Sequence, residues 1–201
     1  MAPELIPLFP LHTVLFPGAV LPLHVFEERY RQLVREGHDF GVVLIRQGWE
    51  VGPGRGEDTY EVGTLAHPER VDALPDGRFA VLARGVRRFR LGSLDRSQPY
   101  LQGEAEWLDD PAPQPRPRLL ELLQRYLDAY GVELPRELAT PGGLRAVWLV
   151  GALLQIEPWR RQRLLETGDA DVAEQLLQEE LAKIARLGRL GAARPPRASP
   201  N

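Results

Sequence analysis

From Leu5 to Val25 the chain carries no Asp, Glu, Lys or Arg, yet Pro7, Pro10, Pro17, Gly18 and Pro22 interrupt it. A charge-free run of this length would suit a membrane-crossing helix. Each interior proline, however, costs a helix about 3 kcal/mol, and four of them outweigh the transfer gain of the leucines between them. The segment therefore reads as short buried strands separated by proline breaks. Nor does it read as a signal peptide, because Glu4 precedes it without a basic stretch and no small-residue cleavage site is evident. The expectation is a cytoplasmic protein with no membrane partner.

The rest of residues 1–110 continues in extended form. Leu5–Phe9, Thr13–Phe16 and Ala19–Val25 are expected strands, followed by Phe40–Ile45, Tyr60–Ala66, Phe79–Ala83, Val86–Leu91 and Leu101–Leu108. One short helix interrupts them over Phe26–Glu36. Its buried face is expected to hold Phe26, Tyr30, Leu33 and Val34, with Arg31 outward and Gly37 as the stop. Gln47–Thr59 is glycine-rich and reads as a loop. Pro75-Asp76-Gly77 supplies a turn, since proline presets φ and glycine accepts a positive one.

Asp109–Pro117 places four prolines in nine residues, and beyond it the period becomes helical. Leu119, Leu122, Leu123, Tyr126, Leu127 and Tyr130 fall on one face, closed by Gly131. Thr140-Pro141 opens a second helix through Trp148 and Leu154, Glu157-Pro158 a third through Leu165, and Asp169 a fourth to about Leu187. The expected division is therefore a β-domain over 1–110, a linker over 111–117, a helical bundle over 118–190 and a disordered tail over 191–201. Charge divides along the same line. Residues 1–110 hold 12 arginines against 17 acids, and residues 111–201 hold 13 basic against 11 acidic side chains.

Catalytic chemistry finds few groups to work with. There is no cysteine, which removes thiol catalysis and Cys-type zinc sites. Gly52–Thr59 lacks the lysine of a phosphate loop, and no apolar-periodic helix follows it. Ser93, Ser97 and Ser199 are the serines, Lys183 the lysine, and none sits in a nucleophile motif. His12, His24, His38 and His67 show no ligand spacing, so no metal and no cofactor is expected. The sequence holds one basic cluster with an aromatic inside it, Arg84, Arg87, Arg88 and Arg90 around Phe89. Read functionally it is a nucleic-acid strand. Read structurally it is a half-exposed strand with Phe89 and Leu91 on one face and Arg88 and Arg90 on the other. The net charge of −3 and the acidic surroundings weigh against nucleic acid as the partner.

Pro7–Tyr30, PLFPLHTVLFPGAVLPLHVFEERY, resembles the opening of the Lon N-terminal domain, the substrate-recognition domain of the Lon (La) ATP-dependent proteases. Val62–Ala66, the turn at Leu74–Gly77, Val81–Phe89 and Leu164–Glu166 resemble further segments of that family in the same order. The resemblance covers about Glu4 to Leu190. It implies an α+β fold, a PUA-like β pseudo-barrel with one short helix followed by a C-terminal four-helix bundle. It also implies a non-catalytic module for unfolded or degron-bearing polypeptide, acting as an adaptor or quality-control factor with a protease or chaperone as partner. The ATPase and Ser–Lys peptidase motifs of the full protease are missing, so the chain resembles a stand-alone form. The segment Glu27, Glu28 and Arg29 aligns with the charged stretch after the second apolar strand and is the expected polypeptide contact. The alternative is an RNA-binding PUA-like module using Arg84, Arg87, Arg88 and Arg90.

Overall fold

The computed structural model describes residues 4–47, 58–110, 116–133 and 145–192. Seven strands form one sheet: β1 (Glu4–Leu11), β2 (Val20–Val25), β3 (Phe40–Gln47), β4 (Asp58–Thr59), β5 (Val62–Ala73), β6 (Phe79–Asp95) and β7 (Gln102–Trp107). The pairing path runs β1-β7-β6-β5-β3, and β3 then pairs back in parallel with β1 through Leu8–Leu11 opposite Gly41–Leu44. Five strands thus close into a ring. Its interior is filled by Ile6, Leu8, Val43, Phe89, Leu101 and Ala105. Gly41, Gly63 and Phe89 show how tight that interior is: a Cβ on either glycine would come within 2.7 Å of the Phe89 ring.

The expected strand at Thr13–Phe16 is instead a loop over residues 12–19. The loop is anchored by Thr64 Oγ1 donating to the Leu15 carbonyl at 2.7 Å and by Gly18 N–H donating to the Gly85 carbonyl at 2.7 Å. Pro17 and Gly18, with φ of 80° at Gly18, turn the chain there. The two expected strands Phe79–Ala83 and Val86–Leu91 are one continuous strand, because the glycine between them, Gly85, is held flat against the Phe16 carbonyl. β5 likewise runs past Ala66 to Ala73, and the Leu74–Arg78 turn closes the hairpin with Gly77 at φ 79°. The first halves of β6 and the last of β5 extend outside the ring, and β2 pairs along the free side of β6. The outcome is a three-stranded flap, β2-β6-β5.

α1 spans Glu28–Glu36 and ends at Gly37 in the left-handed region, as its sequence predicts. Tyr30, Leu33 and Val34 are buried, with Tyr30 stacked on Phe9 at 4.0 Å. Phe26 departs from the expectation. It lies before the first turn and is 48% exposed. Arg31 is outward only in part: it pairs with Glu28 at the surface while its guanidinium lies beside Gly77, leaving the side chain 25% exposed.

The helical part comprises α2 (Pro117–Ala129), α3 (Ala146–Leu153), α4 (Pro158–Thr167) and α5 (Ala170–Ala192). Prolines 117 and 158 stand at the first helical turns, where a missing N–H costs nothing. Asp169 caps α5 by accepting from Asp171 N–H at 2.8 Å. Tyr130 falls past the last turn of α2 and is exposed rather than buried. The Thr140-Pro141 pair, most of Gln47–Thr59, the centre of the Pro-rich stretch and the C-terminal tail lie outside the described residues.

The helices share a single apolar cluster with the sheet. Val14, Phe16, Leu44 and Val62 belong to the same cluster as Leu119, Leu123, Tyr126, Trp148, Leu149, Leu164 and Leu177. Phe16 is its pivot: a Cβ on Gly151 of α3 would come within 2.3 Å of the Phe16 ring, so only glycine lets the helix approach so closely.

Candidate functional site

The basic cluster on β6 does not form one surface. Residues 81–86 alternate, with Val81, Ala83 and Gly85 buried and Leu82, Arg84 and Val86 exposed. The alternation predicts Arg88 outside as well, but α3 and α4 cover the outer face of the sheet there and Arg88 is only 4% exposed. Its guanidinium donates to Asp110 at 3.0 Å and to the carbonyls of Leu165 at 2.8 Å and Asp109 at 3.1 Å. It also lies 4.9 Å from the centre of the Trp148 ring. Arg88 therefore fastens the strand to the helices. Arg84 is engaged by Glu69 and by the Gly18 carbonyl at 2.9 Å, and its hydrogen bond holds the Glu69 carboxyl below the usual range. Arg87 stands over Trp107 at 4.8 Å, and Arg90 lies 3.8 Å from Glu61.

A second arginine repeats the fastening at the other side of Phe16. Arg161 of α4 donates to the Gly151 carbonyl at 2.8 Å and the Val14 carbonyl at 3.2 Å, with its charge over the Phe16 ring at 5.7 Å. Burial lowers its pKa. Sequence patterning gave no sign of this role, because Arg161 sits in an arginine-rich helix start that reads as a solvated face.

The acidic segment expected to contact polypeptide lies beside β2. Glu27 is the residue preceding α1, and its carboxylate takes a hydrogen bond from Arg29 Nε at 3.1 Å. Arg29 in turn stacks over Tyr30 at 4.5 Å. Glu28 faces outward and pairs with Arg31 and Arg35, each at 2.7 Å; the bond from Arg35 is the main cause of its lowered pKa. These three residues are thus split between a half-buried pair, Glu27 and Arg29, and an exposed helix-surface network around Glu28.

What the Glu27–Arg29 pair borders was not visible in the sequence. A hollow of about 160 Å³ opens between β2 and α1, lined by Phe9, Leu11, Leu23, Phe26, Glu27 and Tyr30 among others. Among the described residues β2 pairs with β6 alone, so its other edge is open along this hollow. On the outer face of the flap, paired positions share a side. Val20 lies opposite Arg84 and Pro22 opposite Leu82, which sets Val20, Pro22, Leu82 and Val86 on one exposed, mostly apolar strip with Arg84 between Leu82 and Val86. Val20 is 42% exposed and Val86 50%. A period-two pattern shows that alternate residues face outward. It does not show that outward positions on two strands 60 residues apart become neighbours.

His24 lies along the hollow, while His67 is joined to Asp39 at 2.7 Å on the far side of the flap. Among the described residues no three His, Asp or Glu side chains stand together as metal ligands would, and no helix is long and apolar enough to cross a membrane.

A ring of strands fastened to helices by buried arginines, with open apolar edges rather than a convergent set of reacting groups among the described residues, defines an α+β domain organised around surfaces. The sequence matches the ATP-dependent protease La (LON) substrate-binding domain over residues 5–183, and the chain belongs to that family. It is similar to Lon protease 2 of Myxococcus xanthus, 28% identical over 94% of this chain and 24% of the relative, and to Lon protease of Koribacter versatilis, 30% identical over 92% and 25%. The chain thus spans about a quarter of the length of these relatives. Among solved structures, a Lon N-terminal domain protein from Xanthomonas campestris superposes with a TM-score of 0.64 at 31% identity, covering 89% of this chain and 98% of that one. The N-terminal domain of a Mycobacterium avium complex Lon protease shares the fold, with a TM-score of 0.56 at 19% identity.

Proposed function

We propose that the chain is a non-catalytic polypeptide-binding module and that an unfolded or degron-bearing client docks along β2. The observation that carries this reading is the open edge of β2. It offers backbone groups to an extended segment, with the apolar hollow on one side and the Val20–Pro22–Leu82–Val86 strip on the outer face. Pro22 has no N–H and is tolerated because β2 is an edge strand. Glu27 lines the hollow, and Arg29, bonded to it, and the adjacent Glu28 complete the contact surface, with the Glu27–Arg29 pair nearest the client. Membership of the substrate-binding family supports the same reading.

Within this proposal the closed ring is of the PUA-like type, residues 118–190 act as a four-helix bundle, and the module serves a cytoplasmic quality-control partner, a protease or a chaperone. Arg88 lies in the interior, and this favours the polypeptide reading over nucleic acid.

The test compares two surface variants against a permanently unfolded, carboxymethylated model protein. One variant is Val20→Lys with Leu82→Glu, and the other replaces Glu27, Glu28 and Arg29 with alanine. Both sets are exposed or partly exposed, so melting temperatures should move by no more than about 3 °C. The strip variant should lose about tenfold or more in affinity, and the acidic-segment variant less. Unchanged binding in the strip variant would remove β2 as the docking edge.

A further inference from the structure

The ring closes through only part of β1. Among the described residues Leu8–Leu11 pair with β3, whereas Glu4–Pro7 pair with β7 alone. Below Leu8 the two strands part, and a cleft of about 390 Å³ lies between Glu4–Pro7 on one side and His38, Asp39 and Leu65 on the other. Trp107, Tyr100 and Gln102 complete its walls. Four residues of unpaired strand edge, about 13 Å of backbone, face this space.

The chemistry of the cleft is directional. Leu5 is 48% exposed and Trp107 partly so, giving apolar and aromatic surface. Glu4 and Asp39 place carboxylates at the walls. Tyr100 is fixed by its hydroxyl donating to Glu36 at 2.6 Å, which brings a third carboxylate behind the aromatic wall. His38 also lines the cleft, and Asp39 is bonded on one side to His67 Nδ1 at 2.7 Å. Arg87 covers one side of the Trp107 ring and is not among the residues that line the cleft. The balance at the opening is negative, beside an aromatic ring that attracts cations.

We infer that the seam cleft of the ring receives the lysine or arginine side chain of an extended polypeptide segment, held between Glu4 and Asp39 and laid against the exposed edge of β1. The inference takes from the preceding section only that the ligand is polypeptide; the cleft is separate from β2. It gives the module a charge preference that the β2 strip, whose neighbouring arginines are already paired, does not supply.

The test uses two capped heptapeptides of alternating serine and valine that differ only at the centre, arginine in one and glutamate in the other. Each is titrated into the 15N-labelled full chain. The arginine peptide should shift the Trp107 indole and the Leu5 and Asp39 amides, and bind about three- to tenfold more tightly than the glutamate peptide. That preference should fall below about twofold at 0.5 M salt, where exposed charges are screened beyond a few ångströms. Glu4→Gln with Asp39→Asn should abolish it. Equal affinities for the two peptides, or a preference that survives in the double variant, would overturn the inference. Shifts confined to β2 would overturn it too, leaving the β2 reading intact. Shifts at the seam with none at β2 would support it and remove the β2 reading instead. Should the double variant lose its amide dispersion, the charge swap and salt series on the unmodified chain decide alone.

Discussion

Replacing Arg88 with methionine should destabilise the fold more than the same change at Arg84, Arg87 or Arg90. The side chain is 4% exposed and donates to Asp110 and to carbonyls of Asp109 and Leu165, so its loss orphans three acceptors on two segments at once. Breaking one partner out of a buried, hydrogen-bonded charge pair costs about 3–5 kcal/mol. Asp110 tempers this, being 24% exposed and also 3.6 Å from Arg145, which places the expectation near the lower bound. For a chain of this size each kcal/mol moves the melting temperature by about 2–4 °C, so a fall of about 6–12 °C is expected by calorimetry. Arg90→Met, which removes a contact 3.8 Å long between exposed groups, should cost less than about 1 kcal/mol. Comparable losses for the two variants, or a loss under about 1 kcal/mol for Arg88→Met, would refute the assignment of Arg88 as the tie between sheet and helices.

Gly151→Ala should destabilise by about 1–3 kcal/mol in urea unfolding, because the new methyl would meet the buried Phe16 ring, and Phe16→Leu in the same chain should recover part of the loss. Tyr100 should ionise near 12, pushed up by burial and by its bond to Glu36, so its phenolate absorbance appears well after that of an ordinary tyrosine near 10. Since the folded state favours the neutral phenol, the stability this group contributes is complete below about pH 10 and is lost as pH rises towards 12. A Tyr100→Phe variant should lack that part of the alkaline decline.

The strand-then-helix order was legible because periods of two and 3.6 are local properties. Gly37 and Asp169 announced their helix ends for the same reason. Phe26 was misjudged because its spacing to Tyr30 fits a helical face, although the helix begins only at Glu28 and leaves it outside. Thr13–Phe16 has the apolar, β-branched content of a strand, yet its backbone is held by Thr64 and Arg161, residues that no local window contains. Arg88 was hidden for a related reason: alternation shows which way a side chain points, and only the placement of α3 and α4 decides whether water is there. The candidate site divided in the same manner. Glu27 and Arg29 were found from a resemblance, whereas the apolar strip they adjoin exists only through the register of β2 on β6.

The hydrogen bond from Arg161 to the Val14 carbonyl joins residues 147 positions apart. During synthesis at about 5–20 residues per second, the loop that carries Phe16 waits roughly 7–30 s for the helix that will cover it. β1 waits for β7 on the same ribosome, since Leu5 pairs with Glu104. Until β7 and then α4 are made, the charge-free stretch Leu5–Val25 stands without those partners. A segment made long before its partners is sheltered late, and its four prolines keep it from collapsing into a helix or a long aggregation-prone strand while it waits.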